Sequence, residues 1–232
     1  MSTEVQTDVA SHIASGVEVL PSVVDRTEIV RIVEALDAGA IARTRAGARH
    51  LMRHSAVSTI ARDRRLVSIA SRFLGTSAIP FRATLFDKSR DNNWLVVWHQ
   101  DTALPLRERR DVSGWGPWSV KAGIPYAHAP ASALSRVVSL RLHIDDSGLD
   151  NGPLRVLPGT HTLGVMSDTE VAQFARDVQA VDCVASAGAV VAMRPLLVHA
   201  SSKTETDRRR RVLHIEYADS LDMGAGLELA IA

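Results

Sequence analysis

The chain has 232 residues, 46% hydrophobic and 23% charged, the composition of a soluble globular protein large enough to bury a substantial core. With 27 basic and 26 acidic residues the net charge is +1, which selects no polyanionic partner. The basic run Arg208 to Arg211 has no aromatic platform or second basic stripe beside it, so it reads as a solvated loop-to-strand junction and not as a nucleic-acid patch. No run of about 18 apolar residues exists, so no membrane-spanning helix and no membrane partner is expected. Cys183 is the single cysteine, in the apolar run Val181 to Val184, where it serves as a small buried hydrophobe. The absence of disulfides fits a reducing cytoplasm, and Met1 to Ala10, with Glu4 and Asp8 and no apolar stretch, is not a secretory signal.

Residues 1–20 read as a loosely ordered leading segment with a short strand at Val17 to Leu20. A helix follows from Asp25. Ile29, Val30, Ile32, Val33 and Leu36 recur at helical spacing, Asp25 or Thr27 can cap it, and Gly39 can stop it. Residues 40–62 are mixed, with a helical turn at Val57 to Arg62. A second helix starts near Asp63, buries Leu66, Val67, Ile69, Ala70 and Phe73, and ends at Gly75. From Ala78 the period becomes alternating. Strands are expected near 80–87, 94–100, 137–144, 153–157, 181–185, 189–193, 196–200 and 210–217. One helix, Asp168 to Val178, interrupts them behind an acid-rich cap of Ser167, Asp168 and Glu170. Helices first and many short strands afterwards make a mainly β chain with flanking helices (α+β). Eight strands in two sheets would form a double-stranded β-helix, a jelly-roll or cupin-like core, with the N-terminal helices packed on one sheet. This gives one domain over 1–232, with 1–77 mainly helical and 78–218 as the β core.

The connection from Thr102 to Ser135 breaks the pattern of short loops. Its prolines and glycines deny it regular structure, yet it holds Trp115 and Trp118, two of the chain's four tryptophans, with Tyr126 and His128. A loop this long in a compact domain is functional or disordered, and tryptophans argue against disorder. A mobile lid or pocket wall that closes over the site is expected.

Two segments carry the chemistry. The run Trp94-Leu95-Val96-Val97-Trp98 reads as a strand, so His99 and Asp101, two apart, share one face at its end. His199, in Leu197-Val198-His199-Ala200-Ser201, can bring a second imidazole from a distant strand. Two histidines and one carboxylate cover one face of an octahedron and leave the other open, as a non-haem Fe(II) oxygenase requires. Arg210 lies eleven residues past His199, in a run that reads as a strand, where a guanidinium can grip a carboxylate bidentately. An H-x-D pair alone is weak among nine histidines and 26 acids. Between the two segments stands Asn151-Gly152-Pro153-Leu154-Arg155-Val156-Leu157-Pro158-Gly159-Thr160-His161, whose turn residues read as architecture.

Taken in order, the H-x-D pair, the N-G-P-L-R-V-L-P-G-T-H stretch, the distal H-x-S and the following arginine resemble the phytanoyl-CoA dioxygenase family of Fe(II)/2-oxoglutarate oxygenases, from about residue 78 to 218. The resemblance implies Fe(II) held by His99, Asp101 and His199, with 2-oxoglutarate and O2 as co-substrates. It implies that Ser201 joins Arg210 on the distal carboxylate of 2-oxoglutarate, and that Thr102 and Trp118 line the keto-acid site. Asp101 keeps the carboxylate that halogenating relatives replace with a small residue, so hydroxylation or another oxidation is implied and not halogenation.

Strand parity groups Arg210 with Val212, His214 and Glu216, and Arg211 with the more apolar Leu213, Ile215 and Tyr217. The apolar set suits a sheet face under helices, which sends Arg210 to the pocket. Parity also groups Ser139, Arg141 and His143. Arg141 either receives a substrate anion or pairs with Asp145 or Glu216, because a buried arginine needs an anionic partner. Arg141, His143 and Trp115 are the substrate-site candidates. A small-molecule substrate is expected, and the family name is no evidence for an acyl-CoA. Two readings compete: a cupin-type metal-dependent hydrolase or isomerase, which would use the same three ligands but need no carboxylate clamp, and a non-catalytic jelly-roll binding protein with an occupied but idle metal site, against which the presence of triad and clamp together counts. The substrate, the carbon oxidised, the oxidative outcome and the oligomeric state are not legible in the sequence.

Overall fold

A computed structural model describes residues 14–39, 41 and 47–232. The chain enters through strand β1 (Val17–Leu20) and helix α1 (Arg26–Ala38). Asp25 and Glu28 form a reciprocal capping box at the start of α1. Ile29 and Leu36 of α1 are buried, while Val30 is 52% exposed, so the apolar stripe is narrower than its spacing suggests. Strand β2 (Gly47–Ala48), helix α2 (Ser55–Ala61) and helix α3 (Arg64–Leu74) follow, the last capped by Asp63 and closed by Gly75 at φ 74°. The leading residues 1–13 lie outside the described residues.

The β region runs β3 (Ile79–Lys88), β4 (Val96–His99), β5 (Ala103–Pro105), β6 (Trp118–Lys121), β7 (Ile124–His128), a one-turn helix α4 (Ala131–Leu134) and β8 (Val137–His143). It continues with β9 (Leu154–Val156), helix α5 (Asp168–Asp177), β10 (Val181–Cys183), β11 (Val190–Met193), β12 (His199–Ser201) and β13 (Arg210–Ala218), then a hairpin of β14 (Asp222–Gly224) and β15 (Leu227–Glu228). A six-stranded antiparallel sheet has the order β1-β11-β8-β13-β3-β2, and a four-stranded antiparallel sheet the order β10-β9-β12-β4. The central four strands of the first and all four of the second are the eight strands of a double-stranded β-helix, with β1 and β2 extending the larger sheet at its edges.

Side-chain alternation sorts the larger sheet into two faces. Val138, Leu140 and Leu142 of β8, Ala83 and Leu85 of β3, and Leu213, Ile215 and Tyr217 of β13 pack with α1, α2 and α3 in one apolar cluster. Tyr217 also donates its hydroxyl proton to Ala61 O of α2 (2.8 Å). The opposite face carries Arg82, Thr84, Phe86 and Lys88 across from Glu216, His214, Val212 and Arg210. This polar face looks into the barrel.

The connection 102–135 differs from expectation. It holds a three-stranded antiparallel sheet, β5-β7-β6, and the turn of α4. Leu104, Ala127, Ala129, Ala133 and Leu134 bury themselves with Phe81 and Val137 in a second cluster, so tertiary burial overrides the breakers. The expected strand 196–200 is also displaced. Leu197 N donates to Arg194 O in a turn, and pairing starts at His199.

Candidate metal centre

Strands β4 and β12 pair with His99 directly opposite His199, which sets the two rings 4.2 Å apart between centroids. Asp101 follows β4 by two residues, and its backbone N donates to Pro195 O (2.9 Å), tying the end of the first segment to the approach of the second. His99 Nε2 lies 3.7 Å from Asp101 Oδ1, and His199 Nε2 lies 3.5 Å from Asp101 Oδ2. Each imidazole places Nδ1 2.8 Å from a backbone carbonyl two residues back, Val97 O or Leu197 O. That contact holds the proton on Nδ1 and leaves the Nε2 lone pair free for a metal. One ligand atom from each of the three residues lies within 4.8 Å of the others.

The protonation states suit the same task. Burial drives the His199 imidazole down to about 4, so it is a neutral donor at neutral pH. Burial opposes the charge on Asp101, but His199, His99 and His214 outweigh it and hold the carboxyl well below the usual carboxylate range. Nitrogen and carboxylate donors of this kind suit ferrous iron, and three of them leave coordination positions open.

A cavity of about 120 Å³ opens on the three residues and is lined further by Phe86, Trp94, Arg141, Ser201 and Arg210. Its other end is cationic. Ser201 lies one strand repeat beyond His199, and its hydroxyl accepts from Lys88 Nζ (2.9 Å) and from Arg210 Nη2 (3.3 Å) while donating to Gly152 O (2.9 Å). Lys88, on β3, is fully buried and directly opposite Arg210 on β13. Like charges directly opposite on a ladder destabilise it. Burial, then Arg210 and Arg141, pulls the Lys88 ammonium down to about 7, and burial with Arg141 pulls Arg210 to about 9. Arg210 Nε and Nη1 and Arg141 Nε have no hydrogen-bond partner among the described residues. Among the described residues no carboxylate forms an ion pair with Lys88, Arg210 or Arg141, so the positive charge here is not neutralised by the protein.

Known proteins place the chain. The family described as phytanoyl-CoA dioxygenase (PhyH) matches residues 34–212. The chain belongs to the phytanoyl-CoA dioxygenase family. An L-proline trans-4-hydroxylase from Streptomyces griseoviridis is 24% identical over 178 residues, which span 66% of this chain and 59% of the hydroxylase. Among solved structures, EctD from S. alaskensis with bound Fe superposes with a TM-score of 0.68 at 18% identity, covering 100% of this chain and 87% of EctD. The non-haem alpha-ketoglutarate-dependent epimerase SnoN from nogalamycin biosynthesis does so at 0.68 and 16%, covering 97% and 88%. At such identities these two likenesses speak to fold.

Within this family member the expected site residues divide. His99, Asp101, His199, Ser201, Arg210 and Arg141 all line the one cavity. Arg211 points away and pairs with Asp145 (2.8 Å). The ion pairs considered for Arg141 do not form, because Arg211 takes Asp145 and Arg82 takes Glu216. Arg141 instead lies 5.4 Å from the Phe86 ring centroid and 3.3 Å from His214 Nδ1, within reach of the Asp101 charge. His143 is fully buried beside Arg141 and Arg210, with neither ring nitrogen hydrogen-bonded, and burial with those two cations drives it down to about 3. It lies beneath the cavity and does not line it.

Thr102, Trp118 and Trp115 stand outside the lining of this cavity. Thr102 Oγ1 is 2.7 Å from His128 Nδ1, a bond that closes the turn after Asp101. Trp118 and Trp115 pack on the apolar cluster behind the three-stranded sheet, with Arg109 over the Trp118 ring at 5.7 Å. None of the three lines the cavity. Lys88 went unseen because the strand was ended at 87. Continuing the Arg82, Thr84, Phe86 alternation by one step reaches it. Gln100 was missed too. Its amide bridges Leu196 O (2.7 Å), Gly164 O (2.9 Å) and Met166 N (2.8 Å), bracing the His99 strand. Cys183 is buried, and burial pushes its thiol up to about 11, a structural cysteine.

Proposed function

We propose that this protein is a non-haem Fe(II)/2-oxoglutarate-dependent dioxygenase that hydroxylates a small molecule, with His99, Asp101 and His199 as the iron ligands. The observation that carries the reading is one cavity lined both by the three-ligand face and by Arg210 and Arg141, with Lys88 buried behind its wall and bonded to Ser201. Family membership supports it. When bound, ferrous iron would supply the open positions and the redox centre that couple decarboxylation of 2-oxoglutarate to oxidation of a C–H bond by O2, the electrons that reduce O2 coming from the keto acid and from that C–H bond. The balance is substrate, O2 and 2-oxoglutarate to hydroxylated substrate, succinate and CO2.

The chain's residues do the positioning. Lys88, Arg210 and Ser201 hold the distal carboxylate of 2-oxoglutarate through charge-assisted bonds. Binding would relieve the repulsion between the cations, and Arg141 lines the same cavity. Asp101 and the two imidazoles keep their donors converged because Val97 O, Leu197 O and Pro195 O fix both segments. Phe86, Trp94 and Leu154 line the same cavity and keep water from the reacting atoms. A hydrolase using the same three ligands would have no use for the cationic end. Residues 1–232 act as one oxygenase domain, with 78–218 as the core. The activity is tested by measuring succinate formed from 2-oxoglutarate under Fe(II) and O2 across a panel of small molecules. Succinate formation should depend on Fe(II) and fall by about two orders of magnitude or more in His199→Ala, since even outer partners of a metal ligand are worth ten- to a hundredfold. Turnover in His199→Ala at the wild-type rate would refute the ligand set.

A further inference from the structure

The three-stranded sheet β5-β7-β6 brings Tyr126 against Arg82 of the polar barrel face, and the face that holds Tyr126 carries charge that the keto-acid reading does not use. Lys121 ends β6 at a two-residue turn, Ala122 and Gly123, both with positive φ (48° and 82°), which fixes Lys121 opposite Ile124 and Ser119 opposite Tyr126. Lys121 Nζ stands 4.6 Å from the centroid of the Tyr126 ring. Tyr126 is buried, with its hydroxyl 2.9 Å from His50 Nε2 and Arg82 Cζ 5.7 Å from its ring. Arg82 is committed, since it pairs with Glu216 and donates to Ala103 O (3.1 Å), two residues past Asp101. The patch is therefore continuous with the metal centre.

Lys121 and Arg49 are not committed. Neither side chain has an ion pair or hydrogen bond among the described residues, although Lys121 is half-buried. Burial, then Arg49 and Arg82, lowers the Lys121 ammonium, and Asp101 and Glu216 pull it the other way. Composition sharpens the point. The chain has three lysines, Lys88, Lys121 and Lys203, among 27 basic residues. Arginines serve its ion pairs, as at Arg65, Arg136, Arg209 and Arg211, while Lys88 stands at the cavity end and Lys121 above it.

We propose that Lys121 and Arg49, above the Tyr126–His50 pair, form the subsite that grips an oxyanion of the substrate, a carboxylate or a phosphate. This rests on the oxygenase reading for its purpose, and it names the substrate class: an anionic small molecule held by its charge on the open side of the metal centre.

The test reads Lys121 directly. Reductive methylation with carbon-13 formaldehyde labels the accessible amines of the Zn(II) protein carrying one equivalent of 2-oxoglutarate. Lys88 is fully buried, so Lys121, Lys203 and the amino terminus report, with Lys121→Arg supplying the assignment. Acetate or inorganic phosphate should shift the Lys121 signal saturably, with Lys203 unmoved and acetamide without effect. The tighter of the two anions identifies the group. Arg49→Gln should weaken the anion by roughly tenfold, the loss of one charge-assisted bond. A Lys121 signal that moves no further than that of Lys203, that responds equally to acetamide, or that is indifferent to Arg49→Gln overturns the subsite. The readout needs neither iron nor turnover. An intact Lys121 response in a protein that never forms succinate sinks the oxygenase reading alone. A silent Lys121 in a protein that turns over 2-oxoglutarate sinks the subsite alone.

Discussion

Lys88→Met removes one of the three buried cations and keeps a stem of similar length. On the proposed reading the keto acid loses a charge-assisted bond of about 1.5–3 kcal/mol, which raises its dissociation constant about 10- to 150-fold. The fold should gain. Lys88 faces Arg210 across the ladder, and its ammonium is pulled from 10.5 to about 7 by burial and then by Arg210 and Arg141. The sign follows from proton counts. Between about pH 7 and 10.5 the unfolded chain holds a proton that the fold has released, so wild-type stability rises with pH across that window. Below about 7 the buried charge is present and its cost is complete. The variant should therefore melt above wild type at about pH 6, with the gap narrowing toward about pH 9. Binding of 2-oxoglutarate restores the proton, so wild-type affinity falls by up to about tenfold per unit above pH 7, a slope that Lys88→Met lacks. Anaerobic calorimetry of 2-oxoglutarate binding at several pH values, with melting curves alongside, reads both effects. A melting temperature that drops while the dissociation constant holds would make Lys88 a structural residue and refute the reasoning.

Arg210→Ala should raise the Michaelis constant for 2-oxoglutarate by about one to two orders of magnitude, while Arg211→Ala, which loses only the Asp145 pair, should leave it near wild type; the reverse ranking in steady-state kinetics would invert the assigned strand faces. Gly152 sits at φ 68°, and a Cβ there would come 2.3 Å from Ser202 O, so Gly152→Ala should cost about 1–3 kcal/mol in chemical denaturation and displace Ser201 enough to weaken 2-oxoglutarate as well. Trypsin should leave the segment between Trp118 and His128 uncut at Lys121, with or without 2-oxoglutarate, because the β6–β7 hairpin is paired and packed; rapid cleavage at Lys121 that ligand suppresses would restore the mobile lid.

The local signals in this sequence proved dependable because they depend on one strand or one helix at a time. Caps at Asp25, Asp63 and Ser167 and the stop at Gly75 follow from backbone groups within a turn of the residue concerned. Alternation alone assigned Arg210 to the polar face and Arg211 to the other, and placed Arg141 and His143 together. The helix-first, strand-later order carried the double-stranded β-helix. Position of a side chain across strands is a different matter, since it depends on register, and register joins residues a hundred or more apart. Only the pairing of β3 with β13 reveals that Lys88 opposes Arg210, and only the pairing of β4 with β12 puts His99 against His199. Tertiary burial also decided the segment 102–135, where an apolar cluster holds a sheet that its prolines and glycines argued against and on which Trp115 and Trp118 pack. The sequence by itself determined the ligand types and the face each occupies, because those are fixed by the geometry of a single strand. The tertiary structure decided which charges are left uncompensated, because an ion pair exists only when a partner from another element arrives, and among the described residues none does at Lys88, Arg210, Lys121 or Arg49.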